Sequence, residues 1–513
     1  MSLTKDQTLA YNKFLEFIDN DENLYVLCGS GGTGKTYLTK YFSESVHNTS
    51  LLCGISPTHK AKIVLSKTLN TKTMKEIAVF TIAVLLGKNK DHSYIGTHKY
   101  SSPVEKKLSS YEIFILDEVS MVSDKDLQFL INYVVKHNKK LIMIGDKYQI
   151  PCPSQHLICK GDMCYKVDSL AFNLGCVSTL NEIVRQAKGS PIITLATSIR
   201  DNIDVDNDLL GVYKIEDFYP SFVYSLKKYP LTTRCITYTN DAVAEYNRNI
   251  RKQLGYKVPY LKGEILMAYT TIGFPSPIII NGCDYVISDV NPTKNYMLNN
   301  IACTGHILKL TDLSTNHVTP GLFFISVDHN FELMTILVEL AQKVNAKGST
   351  KEDYKKYKTL KDKVIVCENI YKYNSKILSK SQFKEIHPLL FSKSVDVLDD
   401  KLKIKVNTLS KKIIESYPKL LENRMIDSKT LDESESLCDQ FMIIEKDMDY
   451  GYALTAHKSQ ASTYDVVYVD HQDFNKIKNR WNWKYQKMEN RTREKNQLIY
   501  VSVSRAKLEL HVI

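Results

Sequence analysis

At 513 residues the chain is too long for one hydrophobic core, and about two to four domains are expected. Its 43% hydrophobic and 24% charged residues are those of a soluble globular protein, and no stretch approaches the roughly 18 apolar residues of a membrane span. A net charge of +11 suits a polyanionic partner. The opening MSLTKDQTLAYNKF carries no basic leader followed by an apolar run, so a soluble, intracellular location is expected. The 11 cysteines are scattered, as in a reducing compartment. One group, Cys152, His156, Cys159 and Cys164, lacks the paired C-x-x-C spacing of a structural zinc site, and free thiols are expected there. The abundance of Lys, Asn, Ile and Tyr suits an AT-rich genome such as some viruses carry.

Taken in chain order, the first 190 residues read as α/β. LYVLC (24–28), LLCGIS (51–56), YEIFILD (111–117) and KLIMIGD (140–146) are short continuous apolar runs bounded by turn residues. Such runs mark parallel strands buried on both faces, and the helical patterns between them predict a doubly wound sheet. Residues 84–110, polar, aromatic and basic, interrupt the alternation and are expected to form a hairpin insertion. A second α/β domain is expected from residue 191 to 255, where the strand CITYTN (235–240) runs into the helix DAVAEYNRNIRKQL. Residues 256–330 hold short β-rich segments with Gly/Asn turns, like a small barrel, and 331–445 read as helical. The second domain is expected to resume at 446–513 with DVVYVD (465–470) and QLIYVSVS (497–504), the latter ending in a strand just before Arg505.

The chemistry is concentrated in two motifs. GSGGTGKT fits the G-x-x-x-x-G-K-[ST] phosphate loop, between a predicted strand and a predicted helix. Gly29, Gly31, Gly32, Thr33 and Gly34 let successive N–H groups turn toward phosphate oxygens, and the helix N-terminus adds positive potential. Lys35 is expected to reach the β- and γ-phosphates of ATP, and Thr36 to ligate Mg²⁺. Asp117 and Glu118 end the buried strand of ILDEVS, where two adjacent carboxylates are costly without a cation. Asp117 is expected to hold Mg²⁺ and Glu118 to act as general base on the attacking water. A lone Asp-Glu pair is more often a solvated loop; its position after a buried strand gives it weight.

The series of motifs resembles superfamily 1 helicases of the RecD/Dda type, the 5′-to-3′ branch. The resemblance runs from LTKDQTLAYN (3–12) through SPTHKAKIVL (56–65), FTIAVLLG (80–87), DEVSM (117–121), GDKYQIP (145–151), LNEIVRQ (180–186), YTNDAVAEYN (238–247) and YALTAHKSQ (452–460) to LIYVSVSRAK (498–507). It implies two RecA-like domains that draw together on ATP and separate on hydrolysis. Gln7 would read the adenine, Gln149 would sense the γ-phosphate, and Arg185 and Arg505 would be fingers on the transferring phosphoryl group. Pro57, Thr58, His59 and Thr81 would line a DNA groove on the first domain, and Thr239, Asn240, His457, Lys458 and Ser459 on the second. Outside such a series an arginine near a domain boundary is usually a surface ion pair.

The resemblance further implies an SH3-like fold for 256–330 and a strand-separating pin at 84–110, with Tyr94 and Tyr100 flanking its turn and Lys99, Lys106 and Lys107 beside it. Single-stranded and forked duplex DNA are the expected partners of a monomeric motor, together with replication or recombination proteins. An RNA-acting helicase, a translocase without strand separation and a nucleotide-dependent assembly factor are the competing readings. Two positions depart from the family pattern. Ala83 replaces a histidine, and Ala461 replaces a glycine; if that position holds a positive φ, alanine there costs about 1 kcal/mol. Trp481 and Trp483, within KIKNRWNWKYQK, read either as loop packing or as a stacking platform.

Overall fold

The computed structural model describes residues 3–46, 48–70, 76–87, 102–152, 157–184, 190–201, 214–272, 277–298, 301–325 and 442–513. In chain order the first domain holds α1 (Lys5–Asp19), β1 (Leu24–Gly29), α2 (Lys35–Ser45), β2 (Leu52–Ser56) and α3 (His59–Leu69). It continues with β3 (Ala78–Thr81), α4 (Ile82–Leu85), α5 (Ser102–Ser109), β4 (Ile113–Leu116), α6 (Asp124–Lys136) and β5 (Lys140–Gly145). A hairpin, β6 (Leu157–Lys160) and β7 (Met163–Lys166), precedes the last strand, β8 (Cys176–Leu180). Six strands form one parallel sheet in the order β3-β2-β4-β5-β1-β8.

The central strands are continuous apolar runs, with polar residues mostly at their ends, because both faces of this sheet are covered. Val26, Phe114, Leu116 and Met143 join one core with α6, and Leu27, Ile115, Ile142 and Ile144 join the other with α1 and α2. The crossovers carry these helices to both sides, and every βα turn emerges at the carboxyl edge, where ligands bind in such sheets.

The second domain contributes α7 (Pro191–Asp201), α8 (Phe218–Lys228), β9 (Thr233–Thr237) and α9 (Asn240–Gln253). The chain then leaves it for the stretch Val258–Tyr450, a separate compact unit. That unit holds β10 (Ile265–Ala268), β11 (Asp284–Leu298), β12 (Ile301–Asp312), β13 (Leu322–Ile325) and β14 (Met448–Tyr450). They form an antiparallel sheet in the order β13-β12-β11-β10-β14. Met442 exchanges backbone hydrogen bonds with Phe323 and Ile325 of β13 a few residues before β14 pairs with β10, so the two edges are drawn toward each other. Residues 326–441, and with them nearly all of the expected helical stretch, lie outside the described residues.

The second domain is completed by β15 (Ala453–Thr455), α10 (Ala456–Ser459), β16 (Tyr464–Val469), α11 (His471–Phe474), β17 (Arg480–Asn482), β18 (Lys487–Asn490), α12 (Thr492–Val503) and β19 (Ala506–Val512). Its parallel sheet has the order β15-β9-β16-β19. A further sheet, β17-β18-β7-β6, is shared: β18 from the second domain's stretch runs parallel to β7 from the first. The fold is thus α/β with two RecA-like parallel sheets.

Three expectations need correction. QLIYVSVS is not a strand but lies in α12, with Asn496 to Val503 buried on every side. Periodicity cannot separate a helix buried all round from a buried strand, and the strand is the next segment, AKLELHV. Residues 102–109 form α5, not a hairpin arm; Val104 and Leu108 are buried, and Lys107 Nζ sits 4.1 Å over the Phe80 ring. Residues 88–101, with Tyr94, Lys99 and Tyr100, lie outside the described residues. Finally, Cys159 and Cys164 are not free thiols but form a disulfide across the β6–β7 hairpin, because the register sets them directly opposite. Cys152 forms no disulfide among the described residues, His156 lies outside them, and no metal-ligand cluster occurs among them. No described helix is long and apolar enough to cross a membrane.

Candidate nucleotide site

β1 delivers the phosphate loop to the carboxyl edge of the first sheet and α2 leaves it. Gly32 and Gly34 hold φ of 88° and 82°, a conformation closed to most side chains, and a Cβ on Gly34 would run into the Gln7 amide. Gln7 is fixed twice over. Its Oε1 accepts from Thr4 N in a capping box on α1, and its Nε2 donates to Thr33 O at 3.1 Å. The motif that includes Gln7 therefore braces the loop from behind. Val184 N donates to Gly32 O at 2.8 Å, which brings the segment leading to Arg185 against the loop; Arg185 itself lies outside the described residues. Lys35 Nζ turns back onto Gly29 O and Ser30 O at 2.7 and 3.1 Å. Those two neutral acceptors occupy the ammonium in place of phosphate oxygens.

A cleft of about 320 Å³ opens over this loop. Thr36, Asp117, Glu118 and Gln149 line it from the first sheet, and Ala461, Thr463 and Arg505 from the second. Burial, then the neighbouring Glu118 carboxylate, pushes Asp117 up to about 7, against the backbone N–H of Glu118 and the charge of Lys35. Glu118 itself holds φ 53°, strained for a residue with a Cβ. Glu118 Oε2 and Gln149 Oε1 are buried without a hydrogen-bond partner, as are Ser30 Oγ, Gln460 Nε2 and Ser462 Oγ nearby in sequence to lining residues. Buried polar atoms are nearly always paired, so this concentration suits a polar guest that supplies the partners. Two carboxyls beside the Thr36 hydroxyl also form an all-oxygen donor set, the kind Mg²⁺ takes.

The second domain reaches into the cleft through the end of α12. Arg505 is buried, and its guanidinium bonds to neutral atoms: Val501 O, Ser462 O and Ser504 Oγ at 3.0, 3.2 and 3.2 Å. It follows a helix, and its position is fixed by that helix's last turn. Sequence reasoning missed Tyr500. Its hydroxyl accepts from Gly31 N at 2.9 Å and donates to Asp146 Oδ2 at 3.1 Å. One second-domain side chain thereby joins the phosphate loop to the strand end that precedes Gln149. Ala461 holds φ 59°, the positive φ that the departure from the family pattern leaves conditional.

The described residues expected to touch DNA fall at the carboxyl ends of β2, β3, β9 and β15. Thr58 caps α3, accepting from Ala61 N at 3.1 Å, and His59 opens that helix with its pKa lowered by burial and then by Lys62. Pro57 precedes them in the same turn. Thr239 caps α9 and, with the backbone N–H groups of Tyr238 and Thr239, binds the Asp473 carboxylate. Burial would raise Asp473, but Lys476 and these donors hold it below the usual carboxylate range. Asp473 is a second missed residue; nothing in its local sequence marks it. Asn240 and His457 are exposed and Lys458 is partly exposed. Thr81 and Ser459 are instead buried: Thr81 caps α4, and the Ser459 hydroxyl donates to Ala456 O.

Fold and site together define a P-loop nucleotide-binding protein with two RecA-like sheets. Residues 2–214 match the family described as AAA domain. Over 91% of its length the chain is 26% identical to an uncharacterized protein of Acanthamoeba polyphaga mimivirus, covering 93% of that protein. Over 52% of its length it is 29% identical to the ATP-dependent DNA helicase dda of Enterobacteria phage T4, covering 60% of that protein. Solved structures of Pif1 helicases from Bacteroides and Candida albicans align with 100% of the chain at TM-score 0.49, with 14% and 13% identity and 92% and 94% of those chains covered. The ordered motifs, the AAA-domain match over residues 2–214 and the dda relative agree in making the chain similar to superfamily 1 helicases of the RecD/Dda type.

Proposed function

We propose that this protein is an ATP-driven motor that moves 5′ to 3′ along single-stranded DNA and opens duplex at a fork. The observation that carries the reading is the cleft lined by Lys35, Asp117 and Glu118 from the first sheet and Arg505 from the second. A transferring phosphoryl group needs positive charge that it meets only when both domains are in contact, and Arg505 supplies it from across the cleft. Glu118, carrying a bare buried oxygen, orients and deprotonates the attacking water, and Gln149 reads the γ-phosphate by donating from its side-chain NH₂, its bare oxygen left to accept from water. Gln7 meets the adenine edge. Thr36 and Asp117 would hold Mg²⁺, which would supply positive charge to the phosphates of a bound nucleotide. Arg185 serves as a second finger.

On this reading the chain divides into a first RecA-like domain at 1–190, a second at 191–255 and 446–513, and an SH3-like and helical insertion at 256–445. Pro57, Thr58 and His59 contact the strand on one domain and Asn240, His457 and Lys458 on the other, so that closure and opening around ATP ratchet the two contacts past each other. Polarity comes from the likeness to the RecD/Dda branch, and the partners are single strands and forks met by a monomer, alongside replication or recombination proteins. The test is ATP hydrolysis with and without single-stranded DNA, alongside opening of duplexes bearing a 5′ or a 3′ tail. Strong stimulation abolished by Lys35→Ala, with opening confined to the 5′-tailed substrate, is expected. Hydrolysis by Lys35→Ala near the unaltered rate, or opening confined to the 3′ tail, overturns the reading.

A further inference from the structure

The sheet shared by the two domains has one face that nothing among the described residues covers. Its register aligns Trp481 with Met488, Met488 with Met163, and Met163 with Lys160. Residues aligned across a sheet share a face, and so do residues two apart along a strand. Tyr165 and Ile158, two positions on and opposite each other, therefore lie on the same side as Trp481. The alternate row, Arg480, Glu489, Cys164 and Cys159, points the other way; Glu489 and Cys164 on it are buried. The sheet thus has an inner face against the body of the protein and an outer face of aromatic and aliphatic side chains.

That outer face is open. Ile158 is 52% exposed, Trp481 43%, and Trp483, in the β17–β18 turn, 78%. Trp483 is held out deliberately by its surroundings: Asn482 Oδ1 accepts from Lys484 N and Tyr485 N, and Gln486 Nε2 donates to Trp483 O. The two indoles meet edge to face with centroids 6.3 Å apart, which leaves the Trp483 ring free to take a flat guest. Ile158, Tyr165, Trp481 and Trp483 together make a contiguous exposed apolar patch, the kind that marks an interaction site.

The charge around the face selects the guest. The segment 476–487 contains Lys476, Lys478, Arg480, Lys484 and Lys487 and no acidic residue. Lys160 and Lys484 are exposed at opposite margins of the sheet. The far end of the sheet, where β7 and β18 stop, adjoins the groove residues already described, through a residue of the inner row and one just past β18. Lys166, at the end of β7, and Arg491, just past β18, act electrostatically on His457, and both are tied to Glu494. Aromatic planes for bases, flanking ammonium groups for phosphates, and continuity with the groove fit one occupant.

We propose that the outer face of the β6-β7-β18-β17 sheet is a stacking platform for single-stranded DNA, continuing the path of the strand beyond His457, with bases on Trp483 and Trp481 and backbone phosphates at Lys160 and Lys484. This rests on the reading of the chain as a DNA motor and adds a second site to it. The chain has only two tryptophans, both here, so tryptophan emission reports the site directly.

The experiment titrates the full chain with oligothymidylate, without nucleotide, and reads emission and, by anisotropy of a labelled oligonucleotide, affinity. Saturable quenching is expected. Trp483→Ala, at an exposed turn where folding is insensitive, should weaken binding about tenfold, as base–aromatic stacking implies, and Trp483→Phe should restore most of it. Lys160→Ala with Lys484→Ala should flatten the dependence of affinity on salt. If the oligonucleotide binds with no quenching and the Trp483→Ala affinity is unchanged, the platform is overturned while the motor reading stands. If the unaltered chain does not bind single strands at all, both fail. Self-association that Trp483→Ala abolishes while DNA affinity is untouched would assign the face to a second copy and also overturn the proposal.

Discussion

Replacing Asp117 by Asn removes a buried charge from a site built to need a cation. In the nucleotide-free protein the carboxyl is shifted from its ordinary 3.8 to about 7, chiefly by burial. At about 1.4 kcal/mol per pH decade this amounts to a penalty of about 4 kcal/mol on the folded state when the group is ionised. The sign follows from proton binding. Between about pH 4 and pH 7 the folded chain keeps the proton that the unfolded chain has lost, so stability falls as pH rises through that window and stays low above it. Asparagine keeps the acceptor for Glu118 N and carries no charge at any pH. Asp117→Asn should therefore match the unaltered protein near pH 4, exceed it by about 2 kcal/mol at pH 5.5 and by up to about 4 kcal/mol at pH 8. Urea unfolding followed by circular dichroism, with chelator present and nucleotide absent, measures the difference. Adding Mg²⁺ at pH 8 should narrow it, and the variant should lose ATP hydrolysis. A variant no more stable than the parent at pH 8, or one with the same advantage at both ends of the range, refutes the reasoning.

Tyr500→Phe keeps the ring but strands Gly31 N and Asp146; loss of about 1–3 kcal/mol in the nucleotide-free protein is expected by denaturation, with undiminished ATP affinity by calorimetry. Arg505→Ala should bind ATP with little change in Kd while kcat falls about 100-fold or more, since the finger acts on charge that grows in the transition state; rapid-quench turnover and equilibrium binding separate the two. Ala461→Val, with a branched side chain forced to φ 59°, should cost about 2 kcal/mol in thermal unfolding, whereas Ala461→Gly should be neutral or stabilising by up to about 1 kcal/mol.

The sequence announces what depends on local pattern. β1, β2, β4 and β5 are readable as apolar runs because both faces of their sheet are buried, and the phosphate loop and Asp117–Glu118 sit at strand ends where apolar runs stop. The resemblance flags position 461 as a turn of conditional positive φ, and Ala461 holds φ 59°. What depends on distant partners is hidden. α12 is apolar all round because the second sheet and α7 enclose it, so it imitates a strand. Tyr500 gains its role from Gly31, on another domain, and Asp473 from three donors more than 230 positions away. The pairing of β7 with β18 joins segments more than 300 positions apart, and no motif in either records it. The opposed cysteines were visible only once β6 and β7 had a register.

β9 and β15 lie side by side, Cys235 opposite Ala453, although the chain between them departs to build the Val258–Tyr450 unit. Closing such an excursion costs little more as it lengthens, about 0.6 kcal/mol per doubling, so the length of the insertion has little bearing on the pairing of β9 with β15. The same threading fixes an order of assembly. During synthesis the first sheet is complete once β8 has emerged, while β15, β16 and β19 arrive in the last stretch of chain. A nascent chain can thus fold its phosphate loop early, yet Tyr500 and Arg505 reach it only at the end.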